Sequence, residues 1–521
     1  MTETITPGRK WGTVAIACLA MLLIALDMTV LHLAVPKLTE TLKPTATQFL
    51  WIVDIYGFLL AGFLITMGNL GDRIGRKKLL LIGATVFGLA SVAIAFAPNP
   101  AWLIAARALL GIAGATFMPS TLSLIRNVFD EPKERTAAIG IYSSVGLIGY
   151  VVGPLVGGAL LSNFWWGSVF LINVPVVAVI IAVGIAVVPE SRNPAPGKLD
   201  PASVLLSIIG VLGIVYAISE VSDKGIGHLD VAVAAVFGVV GLALFLYRQT
   251  RLATPLIDVG LFRQRAYSAT IAATVVTMFA SLSVSLLLAQ YLQLVTGWSP
   301  LKAGLAQLPG LPALVAGPML VAPLVARLGR AATIAIGLAL LATGFALYAQ
   351  VDVHVNYPYL LLPMLVFGTG LPMTLVVCTD TVLATVPRTQ AGAASGIAST
   401  AQELGGALGI AVIGTVLSVV YRSNLTLPSD LPAGAEKPIR DNLGAALSTA
   451  AQLPPKVSRP VIDGARQAFV DGIHLTMYWS AGVIAVLAVC MLYLLRGVPK
   501  VIEDIEGQAE QSVVEAPHAG I

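Results

Sequence analysis

Long apolar runs separated by short polar turns dominate the chain. A helix of roughly 20 apolar residues crosses about 30 Å of hydrocarbon, and runs of that length recur from end to end. Fourteen spans are expected, at 12–36, 49–70, 79–97, 101–126, 136–161, 167–188, 203–220, 230–247, 268–294, 302–325, 332–350, 359–384, 393–420 and 474–496. The fold class is therefore an all-α polytopic membrane protein. The first run, Trp11 to Pro36, is too long for a cleavable signal and contains an aspartate.

The turns between spans are unequal in charge. Those between even and odd spans, with the two termini, carry twenty Lys and Arg, from Arg9 and Lys10 to Arg496 and Lys500. The short opposite loops carry four: Lys37, Lys43, Lys224 and Lys302. Basic residues stay on the cytoplasmic side, so both termini are expected there. One loop, 421–473, is long and lies outside; its segment Val461–Val470 has an amphipathic pattern that leads into the last span. The tail 497–521 is acidic and expected to be disordered.

The most basic turn is GNLGDRIGRKK at 68–78, and it has an echo. Arg73-Ile74-Gly75-Arg76 returns as Arg327-Leu328-Gly329-Arg330, and Ile82-Gly83 as Ile336-Gly337. Span 5 likewise matches span 13 at a constant offset of 256: Gly140, Gly149, Gly153 and Gly158 meet Gly396, Gly405, Gly409 and Gly414. A shift of eight spans implies two six-span halves, 12–188 and 268–496, with the pair 203–247 inserted between them. Internal repeats of this kind belong to secondary transporters, with a substrate site between the halves.

Composition narrows the classes. Of 521 residues 57% are apolar and 11% charged, and the mean hydropathy is +0.87. The net charge of +4 does not point to nucleic acid, because the basic residues are sorted by membrane side. Cys18, Cys378 and Cys490 all lie inside apolar runs with no metal-ligand spacing. There is no HExxH, no Walker loop and no Cys/His cluster, so neither an enzyme nor a cofactor or metal is expected. The glycines of 68–75 follow a membrane span rather than a strand, which rules against a phosphate loop.

A carboxylate at the bilayer centre costs about 2.5–3.5 kcal/mol on insertion scales, so each one needs a reason. Asp27 lies about 13 Å below the outer end of span 1, Asp54 about five residues inside span 2 and Arg107 about 9 Å deep in span 4, so the three share the outer half of the first unit. Glu403 is about ten residues into span 13, where the repeat places Leu147 in the other half. Two readings stay open for the first three: an ion pair that fixes helix packing, or a site where a carboxyl takes up and releases a proton. Gly146, Gly149, Gly153 and Gly157 share one face of span 5 and permit close helix contact, with Pro154 interrupting the ladder. His32 and Asp380 are expected to be ordinary residues near span ends, Asp380 facing water.

These stretches resemble a family. GNLGDRIGRKK at 68–78 is similar to the signature loop of the major facilitator superfamily, and Arg107 with Gly111 and Gly114 to its span-4 basic motif. GLIGYVVGPLVGG at 146–158 resembles the motif of its proton-driven exporters, here Gly149, Gly153, Pro154 and Gly157. LDMTVLHLAVP at 26–36, WIVDIY at 51–56, FWWGSVFLINVP at 164–175 and YLQLVTGWSPLKAG at 291–304 resemble segments of its fourteen-span drug:proton antiporters, the quaternary-ammonium exporters.

The resemblance implies a major facilitator fold with fourteen helices arranged 6+2+6. It implies exchange of protons for lipophilic, cationic compounds such as quaternary ammonium drugs, dyes and biocides. Asp27, Asp54, Arg107 and Glu403 are the expected coupling residues. Asp27, Asp54 and Glu403 would also bind the cation, and Tyr56, Tyr150 and Tyr291 would offer ring faces to it. Gly71, Asp72, Arg73, Gly75 and Arg76 would form an inner latch, Gly71 and Gly75 permitting its tight turn. Span 10 has no carboxylate, unlike some broad-range relatives, which speaks against divalent cations. The expected setting is a bacterial cell membrane, as a monomer whose partners are drugs, protons and lipid. The nearest rival is a transporter of the same fold carrying an endogenous solute: a lipid, a siderophore or a self-made antibiotic. A receptor or membrane enzyme would need a soluble domain, for which only the loop 421–473 is available.

Overall fold

The computed structural model describes residues 6–193, 200–224, 228–252, 255–428, 430–432 and 434–496; within these, the side chains of His32, Tyr150 and Pro154 are among those outside the described set. The tail expectation for 497–521 also falls outside it. The described secondary structure is entirely helical. Thirteen helices are long and apolar enough to cross a membrane among the described residues. The helix Pro132–Asn163, 32 residues long, occupies the place expected for span 5 and is additional to those thirteen.

Polar residues at the chain turns start several helices. Thr45 and Gln48 bond reciprocally, side chain to backbone, and open span 2 at Ala46. Asn99 accepts from the Trp102 amide and opens span 4 at Pro100, while Asn356 accepts from Tyr359 and opens span 12 at Tyr357. Spans 4 and 12 are equivalents in the repeat, and both begin on an Asn cap.

Several boundaries depart from expectation. Span 1 runs from Pro7 to Leu42, past Pro36. Span 4 breaks into Pro100–Gly114 and Phe117–Val128, and span 6 into Ser168–Leu171 and Asn173–Val187. Span 10 is preceded by a short helix, Pro300–Leu305, and a 3-10 turn, Leu308–Gly310, before Leu311–Leu328. Pro309 and Pro312 lack the amide protons a continuous helix would need there. The last helix, Pro455–Leu494, is 40 residues long and takes in the amphipathic stretch of the outer loop.

The repeat is written into the packing. A Cβ on Gly149 or Gly153 of span 5 would strike Ala25 or Thr29 of span 1, and one on Gly405 or Gly409 of span 13 would strike Val275 or Phe279 of span 9 (Arg265–Gln290). Gly83 of span 3 meets Thr116, and its repeat partner Gly337 of span 11 meets Thr374. Between the halves, Gly140 of span 5 abuts Pro318 of span 10, and Gly396 of span 13 abuts the Leu64 carbonyl of span 2. Lipid offers little hydrophobic drive for helix association, so this small-residue contact is what lets the helices pack closely.

The inserted helices, Pro201–Lys224 and Leu229–Gln249, touch backbone to backbone at Gly213 and Gly238. They lie against the seam between span 2 and span 13. One apolar cluster there joins Phe58, Ala61 and Ile65 to Val211, Val215 and Phe245 and on to Ala394, Ile397 and Ala398. Their ends on the basic-turn side are tied by Arg248, whose Nε and Nη2 donate to Asp200 at 2.5 and 2.9 Å. That donation holds the Asp200 carboxyl below the usual carboxylate range. Asn69 of span 2 donates to the Leu256 carbonyl at 2.9 Å, fastening the following linker to the first half.

Candidate functional site

Three of the expected residues meet in the first half. Asp27 is 4% exposed and Arg107 1% exposed. Asp27 Oδ2 faces Arg107 Nη1 at 3.8 Å, and neither atom has a hydrogen bond to a described residue. Arg107 Nη2 donates to the Val53 carbonyl at 3.3 Å, one residue before Asp54, and its guanidinium lies 5.4 Å from the Tyr56 ring centre. Asp27 is the first carboxylate whose charge bears on Arg107, and Asp54 adds a second. Gly111, one turn beyond Arg107, allows this approach: a Cβ there would meet the Tyr56 carbonyl at 2.5 Å.

The other carboxylate oxygen has a partner that sequence reasoning missed. Asn173 Nδ2 donates to Asp27 Oδ1 at 3.5 Å and to Ser91 Oγ at 3.1 Å, and Ser91 Oγ donates to the Phe87 carbonyl at 2.9 Å. Asn173 and Ser91 are 1% and 0% exposed. A polar residue opening an apolar run, Asn173 in FLINVP, was the available signal.

Glu403 lies in the other half. Its side chain is half-buried, about 18 Å along the helix Ala391–Asn424, and has no hydrogen bond or ion pair with a described residue. It joins neither Asp27 nor Arg107. Tyr291 is also apart: its hydroxyl donates to the Asp352 carbonyl at 2.6 Å, in the apolar core of the second half. Gly157 is buried in span 5.

A second set of charges bridges the halves at the end that carries the basic turns. Asp72 Oδ1 accepts from Arg76 Nη2 at 2.6 Å and from the Gly392 amide at 3.0 Å, while Oδ2 accepts from the Ala393 amide at 3.0 Å. These two amides are in the first turn of span 13, where helix N–H groups lack internal partners and the dipole favours an anion. Arg76 donates onward to the Arg388 carbonyl at 2.8 Å, and Arg388 pairs with Asp130 at 2.7 Å. Arg73 is half-buried in the same turn. Gly75 has φ +111° and makes the turn; Gly71 sits inside the helix Ala46–Ile74, where its smallness serves contact with Leu79 instead.

Asp380 does not face water. It is 1% exposed, and its two oxygens take Arg135 Nε at 2.8 Å and Arg330 Nη2 at 2.7 Å. Arg330 belongs to the second copy of the basic turn, and Arg135 to the first turn of span 5 in the other half. The expectation failed because position along a span says nothing about which cations a fold brings to it. Arg126 adds a bond to the Leu383 carbonyl at 3.1 Å.

A helical bundle of two repeated halves with buried intramembrane charges now has its counterpart among known proteins. The model of the Major Facilitator Superfamily matches residues 17–410. The chain belongs to the major facilitator superfamily. It is a multi-pass membrane transporter, not an enzyme. The multidrug efflux pump LfrA of Mycolicibacterium smegmatis is 40% identical over 92% of this chain and 95% of that protein. The methyl viologen resistance protein SmvA of Salmonella typhimurium is 38% identical over 94% and 98%. The tetracenomycin C resistance and export protein of Streptomyces glaucescens is 29% identical over 98% and 96%. Among solved structures, the human organic anion transporter MFSD10 (TETRAN) covers 94% of this chain and 100% of its own, with a TM-score of 0.56 at 15% identity, a likeness of fold.

Proposed function

We propose that this superfamily member is a proton-coupled antiporter that exports lipophilic, cationic drugs from the cytoplasm. The observation that carries the reading is the Asp27–Arg107 pair. As a structural clamp it is poor, because a buried pair must recover several kcal/mol of desolvation per ion through close, hydrogen-bonded geometry. At 3.8 Å, with Asp27 Oδ2 and Arg107 Nη1 lacking hydrogen bonds to described residues, that geometry is missing. Each unsatisfied buried polar group costs about 1–3 kcal/mol. A loosely held carboxylate is what a proton carrier needs, since it must be released to protonate. Similarity to pumps named for multidrug efflux and methyl viologen resistance supports organic cations as cargo.

In this reading Asp27, Asp54 and Glu403 exchange protons for drug, with Tyr56 as an aromatic neighbour. The basic turns lie in the cytoplasm with both termini, and Asp72, Arg73 and Arg76 hold that side shut. Drug arriving from the cytoplasm displaces protons; protons entering from outside displace drug. An inward proton gains about 2.3 kcal/mol per 100 mV before any pH gradient is added. A monovalent cation exchanged for one proton moves no net charge, so such a cycle draws on the pH gradient alone.

The test is proton release from purified protein on addition of ethidium. Wild type is expected to release protons and Asp27→Asn to release none while remaining correctly inserted; normal efflux by Asp27→Asn would sink the reading. Export of a self-made antibiotic is favoured by one observation, the similarity to the tetracenomycin C resistance and export protein. Drug susceptibility of a pump-deficient host expressing the chain separates the two.

A further inference from the structure

A coupling acid needs neighbours that set its proton affinity. Asp27 is approached from five elements. Span 4 brings Arg107; span 2 brings Asp54 and Tyr56 around the same guanidinium. Span 5 packs on span 1 beside Asp27 through Gly149 and Gly153, which carry no titratable group. Span 6 brings Asn173, and span 3 brings Ser91 behind it. The helix of Asp27 itself carries His32, whose side chain is outside the described set.

Asn173 is held in place from two sides. Span 6 breaks at Ile172, and Asn173 is the first residue of the second segment, Asn173–Val187. One turn on, Val177 packs against span 3, within 3.0 Å of where a Cβ on Gly88 would stand. That close crossing brings Ser91, three residues from Gly88, to Asn173. The amide orientation follows from the partners: the Asn173 oxygen turned toward Asp27 would set two acceptors against each other, so Nδ2 must face the carboxylate. Ser91 spends its hydroxyl proton on the Phe87 carbonyl and accepts from the same Nδ2. The amide is thereby locked as a donor.

We propose that Asn173, seated by Ser91, is a positioning residue for Asp27 that sets the pH at which Asp27 exchanges its proton for drug. The inference rests on Asp27 being the coupling acid. A fixed N–H donor bonds the carboxylate more strongly than the protonated acid, whose remaining acceptor oxygen carries no charge. Asn173 therefore acts with Arg107 to keep the acid competent to release its proton. Arg107 supplies a charge 3.8 Å away and Asn173 a directional bond, both from the half that carries Asp27.

Proton release driven by ethidium is measured across pH for wild type, Asp27→Asn, Asn173→Ala, Asn173→Asp and Ser91→Ala, each checked for thermal stability in detergent. Removing the donor in Asn173→Ala is expected to move the midpoint to more alkaline pH by the equivalent of about threefold to tenfold in proton affinity. The near-isosteric Asn173→Asp, which sets a second carboxylate beside the first, should move it further, and Ser91→Ala less, all in the same direction. A merely structural role would lower thermal stability and leave the midpoint where it was. Release lost in Asp27→Asn together with an unmoved midpoint in the three other variants overturns this inference alone. Release that survives Asp27→Asn overturns it together with the coupling reading.

Discussion

Asp27 in the first half sits among partners, whereas Glu403 in the second has none among the described residues. Asp27 has Arg107 on one oxygen and Asn173 on the other. Glu403 has no partner among the described residues and is partly exposed. Yet the helices around them pack by one plan: span 5 on span 1 and span 13 on span 9, through glycines 256 residues apart. The same division appears at the basic-turn end. Both turns place a positive-φ glycine before an arginine, Gly75 at +111° and Gly329 at +87°. The first has its acid four residues earlier, at Asp72; the second has Ala326 there and borrows Asp380 from span 12. Each acid then crosses to the helix of the repeat in the other half, Asp72 to the start of span 13 and Asp380 to the start of span 5. Packing symmetry thus survives where charge symmetry does not, because a glycine contact needs only absence of a side chain while a charge needs a specific partner.

The comparison is most severely tested at Asp380. Its loss leaves two buried arginines without their carboxylate, and breaking a buried pair typically costs about 3–5 kcal/mol. Asp380→Ala should therefore open the basic-turn end. A cysteine placed at Ser395, in a chain without its native cysteines, would then label much faster from the basic-turn side. Asp72→Asn leaves one buried arginine, Arg76, without its carboxylate instead of two and keeps an oxygen acceptor at the helix start, so a smaller loss and a weaker rise in labelling are expected. Equal rises would mean that the two acids are not different kinds of latch.

Glu403→Gln probes the unpartnered acid. If the second half contributes to coupling, ethidium export should fall about tenfold or more, equivalent to about 1.4 kcal/mol of barrier. Export indistinguishable from wild type would leave coupling to the first half alone. The paired glycines come next. Gly329→Ala forces a side chain into a positive-φ, extended backbone that is essentially reserved for glycine, at about 1–3 kcal/mol. Gly75→Ala should cost more, since its Cβ would also stand 2.7 Å from the Glu190 carboxylate. Thermal unfolding of the two variants ranks them, and the reverse order would break the assignment. Smallest is Arg248→Ala on the inserted pair. The arginine holds the Asp200 carboxyl below its ordinary range, so the bond adds stability above the unfolded-state carboxylate range. The added stability is lost as pH falls through the folded-state value. A slight drop in Tm at neutral pH, vanishing in acid, is expected, and a drop independent of pH would mean the contact is steric.

Much of this was readable along the chain because bilayer thickness imposes a length on every span and the repeat imposes an offset. Asp27 and Arg107 could be matched by depth alone, since both had to lie below the same outer surface. Depth failed for Asp380, which looked like a water-facing residue at a span end. It failed also for Asn173, an uncharged residue that hydropathy does not single out. Tyr291, expected to offer a ring face, lies apart from Asp27 in the apolar core of the second half, where its hydroxyl donates to the Asp352 carbonyl.

By itself the sequence determined the class, the places of most spans, the repeat and the residues that pay to sit in hydrocarbon. Those follow from transfer free energy and periodicity, which are local properties. The tertiary structure alone decided who faces whom: Asn173 and Ser91 behind Asp27, the crossing of Asp72 and Asp380 between halves, and the inserted pair lying along the seam of spans 2 and 13. A hydrogen bond or ion pair depends on a few tenths of an ångström between segments far apart in the chain. No local pattern encodes that distance.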